Sequence, residues 1–91
     1  MAITIQLPGV LAPLAGGQRA ISGSGATVGE VVADVAQRYP DLGPRLRDDS
    51  GNPYPFVTFY LNEEDIRFAG GFGTKVNDGD ELVVVPAIAG G

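Results

Sequence analysis

Hydrophobic residues follow two different periods along this chain. At the start, Ile3, Ile5 and Leu7 alternate with polar residues, and a period of two is typical of a strand with one buried face. Strand-like segments recur later, at residues 18–22, 56–61, 66–68 and 81–85. Residues 56–61 are apolar on both faces, so we expect this strand to lie centrally in a sheet, whereas residues 66–68 form a short edge strand.

Between the second and third strand segments the period becomes that of a helix. Thr27 and Glu30 have the spacing of a capping box, in which each side chain accepts a hydrogen bond from the other residue's backbone N–H. Pro40 ends the helix because it lacks a donor and clashes with the preceding turn. Residues 23–25 are predicted to be the turn before the helix. One apolar stripe runs along it: Val28, Val31, Val32, Val35, Ala36 and Tyr39.

The predicted order of elements is strand, strand, helix, then three strands, of which the first and last are long. Residues 41–55 are predicted to be a loop with one helical turn at 44–47, and residues 78–80 a tight turn. This order indicates an α+β fold in which one main helix packs on one face of a mixed sheet, with residues 1–91 as one domain. The predicted core contains Val28, Val31, Val35, Val57, Phe59, Leu61, Leu82 and Val84.

The charge and the missing residue types exclude several classes of function. A formal net charge of −5 disfavours nucleic-acid binding, which needs a positive surface. The chain contains no Cys and no His, which removes disulfides, thiol nucleophiles, zinc sites and the usual general base, so we expect no catalytic residue, no bound metal and no bound cofactor. No apolar run is long enough to span a bilayer, and the start lacks a signal peptide's basic region. We expect a cytoplasmic protein that is a monomer on its own and does not bind membranes.

Three clusters of chemically capable residues have simpler structural explanations. Residues 70–75 are Gly-rich but lack a phosphate loop's Lys-Thr order and its following helix. Residues 48–52 lack the alternating ligands of a calcium loop. Residues 63–65 are three consecutive carboxylates at a predicted turn, without a cleft for acid–base chemistry. The aromatic residues are assigned to core and sheet packing, with one or two of them exposed on the sheet as a partner-docking patch.

The C-terminal end carries the most specific signal for function. Pro86 closes the last predicted strand, and Gly90 and Gly91 end the chain without side chains. We expect residues 86–91 to form a flexible, exposed tail that can reach about 20 Å from the domain. A carboxylate on such an arm can enter a narrow channel in a partner enzyme, where a Cβ would obstruct its approach. An idle terminus in a Gly-rich chain is the alternative.

Several motifs, spread over nearly the whole chain, together resemble one known family. They are Leu11-Ala12-Pro13, Gly16-Gly17-Gln18, Thr27-Val28-Gly29, residues 62–68, Gly70-Gly71, residues 78–82 and Pro86-Ala87-Ile88-Ala89-Gly90-Gly91. The sequence thereby resembles the ubiquitin-like β-grasp sulfur carriers of the MoaD/ThiS family. Within that family it is most similar to the cysteine-biosynthesis (CysO-type) branch. Molybdopterin synthase small subunits tend to have two prolines near the tail, and this chain has only Pro86 there.

The resemblance implies a specific reaction at the chain end. A ubiquitin-activating-like adenylyltransferase/sulfurtransferase would use ATP to adenylate Gly91, and a sulfur donor would convert it to a thiocarboxylate. Residues Pro86, Ala87, Ile88, Ala89 and Gly90 would occupy the partner's channel. In the cysteine branch a PLP-dependent cysteine synthase would accept the sulfur, and a metal-dependent peptidase would release the cysteine. A molybdopterin synthase small subunit, the thiamine-pathway carrier, a ubiquitin-like protein modifier and a plain interaction module remain alternatives.

Overall fold

A five-stranded mixed sheet with one main helix against it forms the fold in the computed structural model, which describes residues 1–86. The strands are β1 (Ala2–Gln6), β2 (Ala20–Ser24), β3 (Val57–Leu61), β4 (Glu64–Asp65) and β5 (Glu81–Pro86), and the helices are α1 (Val28–Arg38) and α2 (Gly43–Leu46). The strand order is β2-β1-β5-β3-β4. The β1–β5 pair is parallel and the other pairs are antiparallel. This is the ubiquitin-like β-grasp arrangement, and it confirms the predicted α+β class.

The central strand of the sheet is β5, not β3. The prediction placed residues 56–61 centrally because both faces are apolar, but β3 lies between β5 and the two-residue edge strand β4. The second face of β3 is only half-buried, and Phe56 lies before the strand with 59% of its surface exposed. The apolar outer face of β3 is therefore a partly exposed surface and does not mark the middle of the sheet.

Helix α1 confirms the predicted stripe and corrects one capping contact. Thr27 is the N-cap, and its side chain accepts from the N–H of Glu30 at 3.2 Å. The Glu30 carboxylate, however, accepts from the N–H of Ala26 at 2.9 Å, not from Thr27. The helix ends at Arg38, just before Pro40.

The core lies between α1 and the inner face of the sheet. Six of the eight predicted members are fully buried, while Val57 and Leu61 are partly buried and pack against the rest. The predicted helical turn at 44–47 is present as α2, and it contributes Leu46 to the core. Core members outside the predicted set include Ile3, Ile5, Ile21, Leu42, Ile66 and Val76.

Two predicted element boundaries are wrong. The second strand covers Ala20–Ser24 instead of 18–22, so Gly23 and Ser24 belong to β2 and not to a turn. A Cβ on Gly23 would lie 2.7 Å from a Val31 methyl carbon, and the glycine therefore lets α1 pack closely on β2. Residues 66–68 form a 3-10 turn, and the edge strand is β4, two residues earlier.

The β3–β4 turn holds two non-glycine residues in the left-handed region, with φ of 49° at Asn62 and 74° at Glu63. Two successive positive φ values are what a type I′ hairpin turn requires, and glycine is favoured there. We expect Glu63→Gly to raise the free energy of unfolding by about 0.5–1 kcal/mol, because relief of backbone strain outweighs the entropy that glycine adds to the unfolded chain. Urea denaturation tests this. The matched control is Glu64→Gly in extended β4, which should destabilise; equal losses in both variants would contradict the prediction.

Candidate functional site

Strand β5 brings the end of the chain to one end of the sheet. It is paired to β1 on one side and to β3 on the other. Leu82 and Val84 point into the core, where they are 0% and 2% exposed. The pairing with β1 covers residues 81–83, whereas the pairing with β3 continues to Pro86, so the ladder with β3 positions the last described residue.

Pro86 is the last residue of β5, which corrects its assignment to the tail. It is paired with Val57 across the β3–β5 ladder. In this antiparallel ladder every second residue pair exchanges hydrogen bonds. The N–H of Asn62 donates to the carbonyl of Glu81, so the hydrogen-bonded pairs are counted from there in steps of two. The Val57–Pro86 pair is five positions away and is therefore a non-hydrogen-bonded pair. Proline can occupy this position because it needs no donor toward β3.

The remaining tail residues, Ala87 to Gly91, lie outside the described part of the chain. The predictions that they are exposed and that Gly91 is the modified residue therefore stay predictions. From Pro86, five residues span at most about 18 Å when fully extended. The terminal carboxylate can act only on a partner whose catalytic atoms lie within that distance of the end of β5.

The surface beside this chain exit is apolar. Because Leu82, Val84 and Phe59 face the core, Val83, Val85, Thr58 and Tyr60 lie on the opposite, outer face. Val85 is 40% exposed, and Phe56, which directly precedes β3, is 59% exposed. We call Phe56, Thr58, Tyr60, Val83 and Val85 the β3–β5 face. The other half of the outer face, on β1 and β2, is polar: Thr4, Gln6, Ser22 and Ser24.

The aromatic side chains divide between core and surface. Phe59 is buried, and the Phe72 ring packs edge-on against it at 5.4 Å between centroids. Tyr54 packs edge-on against the exposed Phe56, also at 5.4 Å. Phe68 is 85% exposed, but it lies in the 66–68 turn after β4, where its ring packs against the Arg67 guanidinium. Phe56, which directly precedes β3, therefore fits the expected docking patch.

Of the three consecutive carboxylates, Asp65 has a structural role. The Asp65 carboxylate caps the 66–68 turn and pairs with Arg67 at 2.6 Å. Hydrogen bonds from the Arg67 side chain lower the pKa of Asp65, whereas a general acid at neutral pH needs a raised pKa. Glu63 and Glu64 are exposed on the turn.

The other two clusters are also explained locally. The Asp48 carboxylate accepts from the N–H groups of Ser50 and Asn52, which closes a loop. Residues 71–73 form a 3-10 turn, and Lys75, which follows it, forms an isolated antiparallel β-bridge with the backbone of Thr27. No group of three or more potential metal-ligating side chains occurs among residues 1–86. Within the same range no helix is long and apolar enough to cross a membrane.

Comparison with known proteins shows which family this chain belongs to. The sequence matches the ThiS family over residues 5–91. It is 43% identical to the sulfur carrier protein CysO of Mycobacterium tuberculosis, over the full length of both chains. Among solved structures, CysO of Amycolatopsis orientalis in its complex with BexX is 38% identical, with a TM-score of 0.90 over 98% of this chain and 99% of that one. The modifier SAMP1 of Haloferax volcanii is 28% identical, with a TM-score of 0.83 over the whole of both chains.

The fold and these relatives define a small ubiquitin-like carrier. The chain belongs to the ThiS/MoaD family of sulfur carrier proteins and is similar to its CysO-type members.

Proposed function

We propose that this protein carries sulfur as a thiocarboxylate on Gly91. The observation that supports this most directly is a chain ending in Gly90-Gly91, five residues beyond a strand fixed in the centre of the sheet. The Gly91 carboxylate attacks the α-phosphate of ATP and releases pyrophosphate, which gives an acyl-adenylate. Hydrosulfide then displaces AMP, so one C–O bond is replaced by a C–S bond without a change in oxidation state. The activating enzyme supplies the catalytic groups, and this protein acts as a co-substrate.

The cysteine pathway is the favoured destination of that sulfur. Relatives that are 43% identical over the full length of both chains carry the name CysO. In this proposal a PLP-dependent cysteine synthase supplies an aminoacrylate, and the thiocarboxylate sulfur adds to its methylene carbon. An S-to-N acyl shift then leaves cysteine in amide linkage to Gly91, and a metal-dependent peptidase hydrolyses that amide.

Incubation with each partner enzyme distinguishes the cysteine pathway from the molybdopterin pathway. The thiocarboxylated protein is mixed with the PLP synthase and its amino-acid substrate, and the intact mass is measured. We expect the intact protein to be heavier than its unmodified form by the mass of one cysteine residue, attached at Gly91. Release of sulfur to a pterin substrate of a large molybdopterin synthase subunit, without a cysteine adduct, would replace this proposal with the molybdopterin one.

A protein-modifier role is the second candidate, favoured by the likeness to SAMP1 over the whole chain. The same adenylate would then be attacked by a lysine amine of a target protein. An isopeptide bond from Gly91 to a lysine in cells would support that role, and a chain found only free or cysteine-linked would argue against it.

The β3–β5 face is proposed as the surface that docks on the activating enzyme, because it lies beside the chain exit and is the apolar half of the outer face. We expect Val85→Asp to raise the Kd for that enzyme at least about tenfold, since docking would bury an unpaired carboxylate. Isothermal titration calorimetry measures this. The matched control is Ser22→Asp on the polar half, which should bind normally. Equal binding by both variants would place the interface elsewhere.

A further inference from the structure

Strand β2 is a sheet edge whose open backbone groups are partly covered by side chains of α1. In the β1–β2 ladder the N–H of Leu7 donates to the carbonyl of Arg19, and the N–H of Gly25 donates to the carbonyl of Met1. The odd-numbered residues therefore face β1, and the backbone groups of Ala20, Ser22 and Ser24 point away from the sheet.

Two α1 side chains reach these outward groups. The Asp34 carboxylate accepts from the N–H of Ser24 at 3.0 Å. The Arg38 guanidinium donates to the carbonyl of Ser22. The two side chains also pair with each other at 3.2 Å, one helical turn apart. We call this arrangement the Asp34–Arg38 clasp.

Apart from the clasp, β2 has none of the usual features that keep a sheet edge from pairing. Residues 20–24 contain no proline and no charge, and their pairing with β1 is continuous, without a bulge. The residues whose backbone groups point away from the sheet, Ala20, Ser22 and Ser24, have small side chains, and all three are exposed. Such an edge is open to antiparallel pairing with the same strand of a second copy.

The groups held by the clasp are the ones that this pairing needs. A two-fold axis at Ser22 would make Ser22 exchange both bonds with its symmetry mate, and Ala20 would pair with Ser24 of the other copy. The clasp occupies the Ser22 carbonyl, and the Ser22 carbonyls of the two copies would accept both hydrogen bonds of the central Ser22–Ser22 pair. It also occupies the Ser24 N–H, which would donate one of the two hydrogen bonds in each Ala20–Ser24 pair. In that register Arg19 of one copy lies opposite Gly25 of the other, near Glu30, so the charges there would attract.

We propose that the Asp34–Arg38 clasp keeps the carrier monomeric by blocking β2–β2 pairing between two copies. Its two side chains are 34% and 42% exposed, and an exposed ion pair at this helical spacing contributes little to folding because solvent screens it. The effect of the clasp therefore lies in which backbone groups it occupies.

Sedimentation velocity of the full-length chain tests this directly. The wild type and the control Gln37→Ala, a change on the same helix, should sediment as the 9.4 kDa monomer up to millimolar concentration. Asp34→Ala/Arg38→Ala should double in mass as the concentration rises. Adding Ser22→Pro should restore the monomer, because it removes an outward N–H without touching the bonds to β1. A double variant that stays monomeric, or a dimer that survives Ser22→Pro, would overturn the proposal.

Hydrogen exchange in the wild type tests the clasp without a variant. The Ser24 amide, bonded to Asp34, should exchange more slowly than the Ser22 amide, which faces the same edge without a partner among residues 1–86. Equal exchange rates would show that the clasp does not form in solution and would also overturn the proposal.

Discussion

Deleting Gly91 is expected to abolish sulfur loading while leaving the domain folded. With an activating enzyme, ATP and sulfide, the intact protein should gain about 16 Da as sulfur replaces one oxygen of a single carboxylate. The truncated chain ends in Gly90, one residue short, so its carboxylate stops about 3.5 Å before the position that the enzyme's channel presents to ATP. A misplacement of that size removes the alignment on which in-line attack depends. Intact-mass spectrometry measures the gain.

Two further measurements make this test decisive. Among residues 1–86 the core residues lie between positions 3 and 84, and we expect circular dichroism of the truncated chain to match that of the intact protein. Gly90→Val keeps the length but adds a branched side chain, and it should slow loading because the channel has no room for the branch. If the truncated chain still gained sulfur, the carboxylate carrier proposal would be wrong.

The features that sequence predicted best are those set by neighbours along the chain. The period of Val28, Val31 and Val35 predicted α1, and the Thr27 cap placed its start within one residue. The turn at 78–80 and the start of β5 were equally local, since Gly79 adopts a φ of 87°. A period or a turn depends on a few adjacent residues, which a single sequence shows directly.

Most of the features that sequence missed depend on which distant segments meet. The exception is residues 66–68, where Ile66 and Phe68 alternate with Arg67 as in a strand, but the Asp65 carboxylate accepts from the N–H of Arg67 and starts a 3-10 turn. The shift of β2 toward Ser24 follows from its pairing with β1 and from the fit of Gly23 under α1, both long-range contacts. The spacing of Asp34 and Arg38 is visible in the sequence, but the bonds of the clasp to Ser24 and Ser22 join residues 10 and 16 positions apart.

The candidate site divides in the same way. Its proposed reactive group is the Gly91 carboxylate, which the Gly90-Gly91 ending and the family relationship together indicate. The surface beside it needed the sheet register, because only the pairing of Thr58 with Val85 shows that an exposed valine lies beside the start of β3. The predicted core already contained Leu82 and Val84, which leaves Val83 and Val85 for the outer face, but the β3 residues beside those valines are known only from the strand pairing.

Phe59→Ala is expected to lower the free energy of unfolding by about 3–5 kcal/mol. The ring is 2% exposed, lies on β3 opposite Val84, and packs against Phe72, so truncation leaves a cavity between the sheet and the 71–73 turn. For a domain whose total stability is of order 5–15 kcal/mol, this loss takes a large part of the margin. Urea denaturation followed by circular dichroism measures it. The matched control is Phe68→Ala, in which the same ring is removed from a site that is 85% exposed and the change should stay within about 0.5 kcal/mol. Similar losses in the two variants would mean that Phe59 is not the centre of the core and that β3 packs in a different register.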